Sequence, residues 1–127
     1  MDAIIQLYRN LDLVTKNDYI KVRDGLWVKS GPYKEKSWNK TDKSILPTKD
    51  ELNEIYLKFQ EIILIQEACG LESLQQILEE DDRSWIWSST EYDDTANANA
   101  WVQRMSAGYQ YISNKYFDSW VVPVRRF

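Results

Sequence analysis

SWIWSSTEYDDTANANAWVQRM, residues 84–105, is the stretch on which the fold turns. Its ends, SWIWSS and AWVQRM, carry the aromatic and branched residues of short strands. Its middle is small, polar and acidic, and reads as a turn. YQYI from Tyr109 and WVVPVRRF from Trp120 continue the strand-like runs, separated by Gly108 and polar residues. Upstream the clearest pattern is helical. Leu52, Ile55, Tyr56, Phe59, Ile62 and Ile63 recur at i, i+3, i+4, i+7 spacing. Thr48 and Glu51 make a capping box just after Pro47, and Gly70 ends the pattern as a C-cap. Helices followed by antiparallel strands define an α+β class, with two helices packed on a small antiparallel sheet.

Working outward, a shorter helix is predicted over 72–79, with Leu71, Leu74, Ile77 and Leu78 inward. EEDDR, Glu79 to Arg83, reads as a solvated helix end and loop. Near the start, Asp2 caps a helix of about ten residues whose apolar side is Ile4, Ile5, Leu7 and Tyr8. YIKVRDGLWVK, residues 19–29, carries Asp24-Gly25 between alternating apolar residues. That pair predicts a hairpin with a primed turn. SGPYKEKSWNKTDKS, residues 30–44, reads as a loop anchored at Trp38.

The chain has 127 residues, enough for one domain with one core. Within it, 1–45 form the early helix and hairpin, 46–80 the helical part, and 85–127 the β-rich part. Its net charge of −4 leaves no basic face for nucleic acid. The start, MDAIIQLYRNLD, lacks the basic and apolar regions of a secretory signal, so a cytosolic product is expected. No apolar run is long enough to span a membrane.

Much chemistry is missing. The chain has no histidine and one cysteine, Cys69, which falls on an apolar helical pattern and is expected to be buried and inert. Neither a zinc site nor a His-activated nucleophile is available to it. The glycines are isolated, so no phosphate loop exists. Asp93 and Asp94 sit among small residues and are expected to be ordinary carboxylates. The Asp and Asn residues between Tyr92 and Asn99 lack the spacing of a calcium-binding EF-hand. Ser88 and Ser89 are expected to satisfy backbone groups beside the tryptophans. No enzyme, cofactor or metal is therefore expected.

What stands out is aromatic content, 13%, with six Trp and eight Tyr. LPTKDEL from Leu46, WSSTEY from Trp87, Ala100-Trp101, Gly108, Lys115 and the final VVPVRRF together resemble the C-terminal domain of Legionella collagen-like proteins. That group belongs to the C-type-lectin-like folds, which also include formylglycine-generating enzymes and occur in bacterial surface proteins and phage tail or head fibres. The resemblance covers Leu46 to Phe127.

It implies a frame of Trp87, Trp101, Val121 and Val124 packed under the helices, with Gly108 making a tight turn and Arg125 pairing with a carboxylate such as Glu91. Trp87 and Trp101 should then both be largely buried. It implies a ligand-binding surface at the positions between. These are Asp93, Asp94, Asn97 and Asn99 in the first turn, and Arg104 and Ser106 on the next strand. Tyr109, Tyr111 and Ser113 follow, then Tyr116, Phe117, Asp118 and Trp120. Tyr, Ser, Asn and Trp are the vocabulary of an adaptable contact surface. The competing reading places Tyr109, Tyr111 and Phe117 in the core.

Two branches of the fold group are set aside by their residues. Calcium-dependent lectins carry a Glu-Pro-Asn or Gln-Pro-Asp triplet and a Trp-Asn-Asp. Here Pro47 lies between Leu46 and Thr48, and Trp38-Asn39 continues with Lys40. Formylglycine-generating enzymes use a cysteine pair and copper, which one Cys without His does not reproduce. The expected function is a non-enzymatic recognition module on a phage virion or bacterial surface, binding a host glycan or protein without metal. Its alternatives are a structural or assembly subunit of a capsid or tail, and a retroelement-diversified ligand-binding protein. A homo-oligomer is compatible with each; nucleic-acid and membrane partners are not expected.

Overall fold

The computed structural model describes residues 2–93 and 97–127. Its elements are α1 (Asp2–Asn10), β1 (Tyr19–Arg23), β2 (Leu26–Lys29), β3 (Lys34–Ser37), α2 (Lys49–Ala68), α3 (Gln75–Leu78), β4 (Trp85–Glu91), β5 (Asn99–Arg104), β6 (Gln110–Asn114), β7 (Asp118–Val121) and β8 (Val124–Arg125). The cap expected of Asp2 and the placement of Asp94 lie outside what is described. No helix among the described residues is long and apolar enough to cross a membrane.

The class is α+β, but the strands form two sheets rather than one. One has the order β1-β2-β8, the other β3-β7-β4-β5-β6. Residues 34–37, read from the sequence as loop, pair with β7 and become an edge strand. Their alternating Lys-Glu-Lys suits an edge, where charge blocks further pairing. The larger sheet is not wholly antiparallel, because β4 meets β7 in parallel at Ile86 and Trp120. Val122 and Pro123 then carry the chain across to β2, where Lys29 N–H donates to Pro123 O at 2.9 Å.

The β1–β2 hairpin forms at Asp24-Gly25, but its turn is not the expected one. Gly25 takes φ +83°, while Asp24 is absent from the positive-φ residues. A primed type I turn would need both. A register shift between Lys21 and Arg23 supplies the strand twist instead.

α2 begins as its sequence predicts. Glu51 N–H donates to Thr48 Oγ1 at 3.1 Å, and Thr48 N–H donates to Glu51 Oε1 at 2.8 Å. It ends in a Schellman motif: Gly70 N–H reaches Glu67 O and Leu71 N–H reaches Gln66 O, with Gly70 at φ +71°. Leu52, Ile55 and Ile62 are buried. The second helix is much shorter than expected. Side chains satisfy the N–H groups at its late start: Gln66 Oε1 accepts from Leu74 N–H at 2.9 Å and Ser73 Oγ from Gln75 N–H at 3.2 Å. Leu74 and Ile77 are nonetheless fully buried. Cys69 is buried too, and burial raises its thiol pKa.

The larger sheet separates two apolar clusters. On the α2 side lie Ile86, Met105, Trp120 and Val122, merged with the hairpin residues Ile20, Leu26 and Val28. On the other side Trp87, Ala100, Val102 and Val121 pack against Trp38 and Leu46. Trp87 and Val121 are therefore frame residues, but they face away from the helices. Trp38 Nε1–H donates to Ser88 O at 2.9 Å, which anchors the covering loop as expected.

The end of the chain is tied to the start of α2. Arg126 Nε and Nη2 donate to Glu51 Oε2 and Oε1 at 2.8 and 2.6 Å. These bonds, with that from Thr48 N–H, hold the Glu51 carboxyl below its ordinary value of 4.5. A depressed acid stabilises the fold fully above its ordinary value and ceases to do so as pH falls through the lower folded value. Acidification from about pH 4.5 should thus weaken the wild type more than Glu51→Gln. Urea denaturation of both proteins at a series of pH values reads this directly. Parallel pH profiles would refute it.

Candidate recognition face

The site begins with the β5–β6 turn. Gly108 takes φ +85°, and its N–H donates to Arg104 O at 2.7 Å. A Cβ there would lie 2.6 Å from Tyr56 Cζ. The position thus needs glycine for its backbone and for the ring packed on it. Gly108→Ala should cost about 2 kcal/mol, more than the left-handed backbone alone would require in open space. Chemical denaturation measures it. Relief of that loss by Tyr56→Ala in the same chain would identify the ring contact as part of the cause.

From this turn the register sets the face. Tyr111 is opposite Val102, Ser113 opposite Ala100, and Trp87 opposite Val102 from the other side. Side chains alternate across a sheet, so these residues share the face remote from α2. The loop carrying Trp38 and Leu46 covers one end of that face. The other end is open as a groove of about 270 Å³, lined by Trp85, Val102, Tyr111, Ser113, Phe117 and Ser119, with Asp118 beside them. Tyr111 and Phe117 are 65% and 66% exposed, while Trp85 is half-buried.

The structure brings together only some of the expected surface residues. Tyr111, Ser113, Phe117 and Asp118 meet at the groove. Tyr116, in the β6–β7 turn, is exposed, and its N–H donates to Asn114 Oδ1 at 2.9 Å. Tyr109 is also exposed, in the β5–β6 turn outside the groove lining. The core reading of Tyr109, Tyr111 and Phe117 fails on these exposures. Asp93 and Asn97 are exposed near the opposite end of β5, and Asn99 faces Asn114 across the β5–β6 ladder. Asp94 lies outside the described residues.

Three expected surface residues are structural instead. Arg104 reaches the Asp81 carboxylate at 3.7 Å, and Ser106 Oγ donates to Asp81 O at 3.0 Å. Both fasten the turn before β4. Trp120 is buried, and its Nε1–H donates to Arg83 O at 3.1 Å. The alternation of β7 turns it towards the α2 side, beside Ile86. In the other direction, Trp85 and Ser119 line the groove although neither was expected there. Trp85 is two residues before Trp87, so strand alternation alone puts both on one face.

Two frame assignments also change. Trp101 is only half-buried, on the α2 side, with Lys49 Nζ 3.7 Å from its ring centroid and Tyr92 edge-on at 5.8 Å. Arg125 does not pair with Glu91. Glu91 binds Lys115, whose buried Nζ lies 2.9 Å from Oε2 and also donates to Asn97 O at 2.8 Å. β8 joins the smaller sheet, so Arg125 sits opposite Trp27, over the rings of Tyr19 and Phe127.

Ser88 is engaged with the backbone. Ser88 Oγ donates to Trp101 O at 2.7 Å and accepts from Thr90 N–H at 3.1 Å. Among the described residues no three or more Cys, Asp or Glu side chains converge as a metal site. Compared with known families and curated proteins, the chain matches no family model and no curated sequence.

Proposed function

We propose that this chain is a non-enzymatic recognition module of the C-type-lectin-like kind, displayed on a phage virion or bacterial surface. Its contact surface is the open end of the larger sheet, where it takes a host-surface glycan or protein without metal. One observation carries the reading: Tyr111 on β6 and Phe117 in the β6–β7 turn stand about two-thirds exposed, beside a groove with Ser113 and Asp118. Ordered aromatic area costs little conformational entropy on binding, and flanking hydroxyl and carboxylate groups give direction. Val102 and Trp87, buried on the same face, flank the groove, and the paired strands β4, β5 and β6 lie beneath it, so the surface is preformed.

Tyr111→Ala and Phe117→Ala should each change stability by less than about 1 kcal/mol, as exposed substitutions do. Each should weaken binding by about 2 kcal/mol if the residue is an anchor of the contact. Thermal melts beside binding to a glycan array and to bacterial cells separate the effects. Unchanged binding by both variants, for any target the wild type retains, would refute this surface as the site.

The assembly-subunit reading has its own support. Leu57 and Leu64, a heptad apart on the outward side of α2, are 72% and 70% exposed. Such a stripe favours a protein neighbour. A concentration-dependent mass in sedimentation, abolished by Leu57→Glu, would favour that reading.

A further inference from the structure

A second cleft, of about 620 Å³, opens at the smaller sheet, remote in the fold from the groove of the larger sheet. It is bounded by the loop 12–17, the β1–β2 turn and the end of the chain. Its apolar wall is Trp27 and Phe127, in edge-to-face contact at 5.7 Å. Its charges are unevenly matched. Lys21 takes Asp24 at 2.8 Å and Asp12 at 3.9 Å. That leaves Lys16 and Arg125, which have no ion pair or side-chain hydrogen bond among the described residues.

Arg125 is held without an anion. Its guanidinium carbon lies 5.1 Å from the Tyr19 ring centroid and 5.9 Å from that of Phe127. Ring contacts fix the side chain and leave its N–H donors unspent. A planar fork of free donors beside an aromatic wall is matched by a carboxylate joined to a flat body. Lys16 adds charge across the cleft, and the Asn17 amide adds a donor there. Phe127, 62% exposed, offers its ring to the body of the ligand, while Trp27 is buried behind it with Lys21 Nζ 5.7 Å from its centroid.

We infer that this cleft is a binding site for a monocarboxylate carried on a ring, with Arg125 as the anion anchor and the exposed Phe127 ring as the platform. The volume falls in the range of small-molecule sites, where an apolar wall and a few convergent polar groups are the common pattern. The ring has two chemical sources, an aryl acid or a sugar acid, and both present the same carboxylate. This site stands independently of the recognition face on the other sheet.

Titration of the ¹⁵N-labelled chain with sodium benzoate and with sodium glucuronate tests it, with benzamide and matched sodium chloride as controls. Saturable shifts at the amides of Asn17, Gly25 and Phe127 are expected with at least one of the two carboxylates. Benzamide and chloride should give none. Which acid saturates names the ring. Arg125→Gln should weaken binding about tenfold, and Arg125→Lys less. Should Arg125→Gln fail to keep a native spectrum, Lys16→Gln replaces it and should weaken binding by a smaller factor. The inference is overturned by drift that chloride reproduces, by equal binding of benzamide, by saturable shifts confined to the Tyr111 groove, or by affinity unchanged in the variant used.

Discussion

Trp87→Ala should lower the free energy of unfolding by about 4 kcal/mol. Trp87 has no solvent exposure and lies against Ala100, Val102, Val121 and Leu46. Truncation removes that contact and leaves a large void, which the flat sheet on one side and the 38–46 loop on the other close only in part. It also leaves Lys36 O without the Nε1–H it accepts at 2.8 Å, so the edge strand β3 loses a tie to β4. Trp101→Ala is the control. That ring is half-buried and held by Lys49 and Tyr92, so its loss should cost about 2 kcal/mol. Urea denaturation of both variants ranks them. An equal or reversed order would show that the second apolar cluster adds little, and that the frame is the α2 side alone.

Gln66→Leu should cost about 3 kcal/mol, although it conserves volume and adds apolar surface. Gln66 is completely buried in α2. Its amide donates to Tyr33 Oη at 2.9 Å and to Ser30 Oγ at 3.3 Å, and its carbonyl takes the Leu74 N–H. Tyr33 in turn donates to Lys29 O at 2.6 Å, and burial raises its pKa. Three segments, the β2–β3 connection, α2 and the start of α3, therefore meet at one side chain. Leucine leaves the Leu74 N–H buried without an acceptor, and an orphaned donor costs more than the average bond contributes. Hydrogen exchange at Leu74 adds a local measure, since its protection should fall with the global stability or further. A variant as stable as the wild type would mean that water or a shift of α3 restores the partner.

Neither effect is visible in residue spacing. Gln66 falls in a helical stretch where a polar residue ordinarily faces solvent, and only the docking of Tyr33 and Leu74 around it buries the amide. Trp101 and Trp87 look alike in sequence, each at the edge of a strand-like run. Their difference follows from β5 and β4 lying side by side, with a half-buried edge near Lys49 and a closed interior under Leu46.

Local signals determined the elements that depend on neighbours along the chain. Thr48, Glu51 and Gly70 bound α2 because a capping box and a left-handed C-terminal residue act within one turn. Asp24-Gly25 placed the hairpin, and Gly108 the β5–β6 turn, because positive φ is a local demand. The exposure of Tyr111 and Phe117 was expected only through the family resemblance, because aromatic residues at strand spacing fit a core equally well. Tertiary structure decided the rest. It split the strands into two sheets, turned Trp120 inward and sent Arg125 to Tyr19 instead of Glu91. Each of these depends on pairing between segments far apart in sequence, β3 with β7 and β2 with β8. Short strands carry little information about their partners, because backbone hydrogen bonds are the same for every sequence. The choice is made by which pairing closes apolar surface on both faces of the larger sheet, a property of the whole chain.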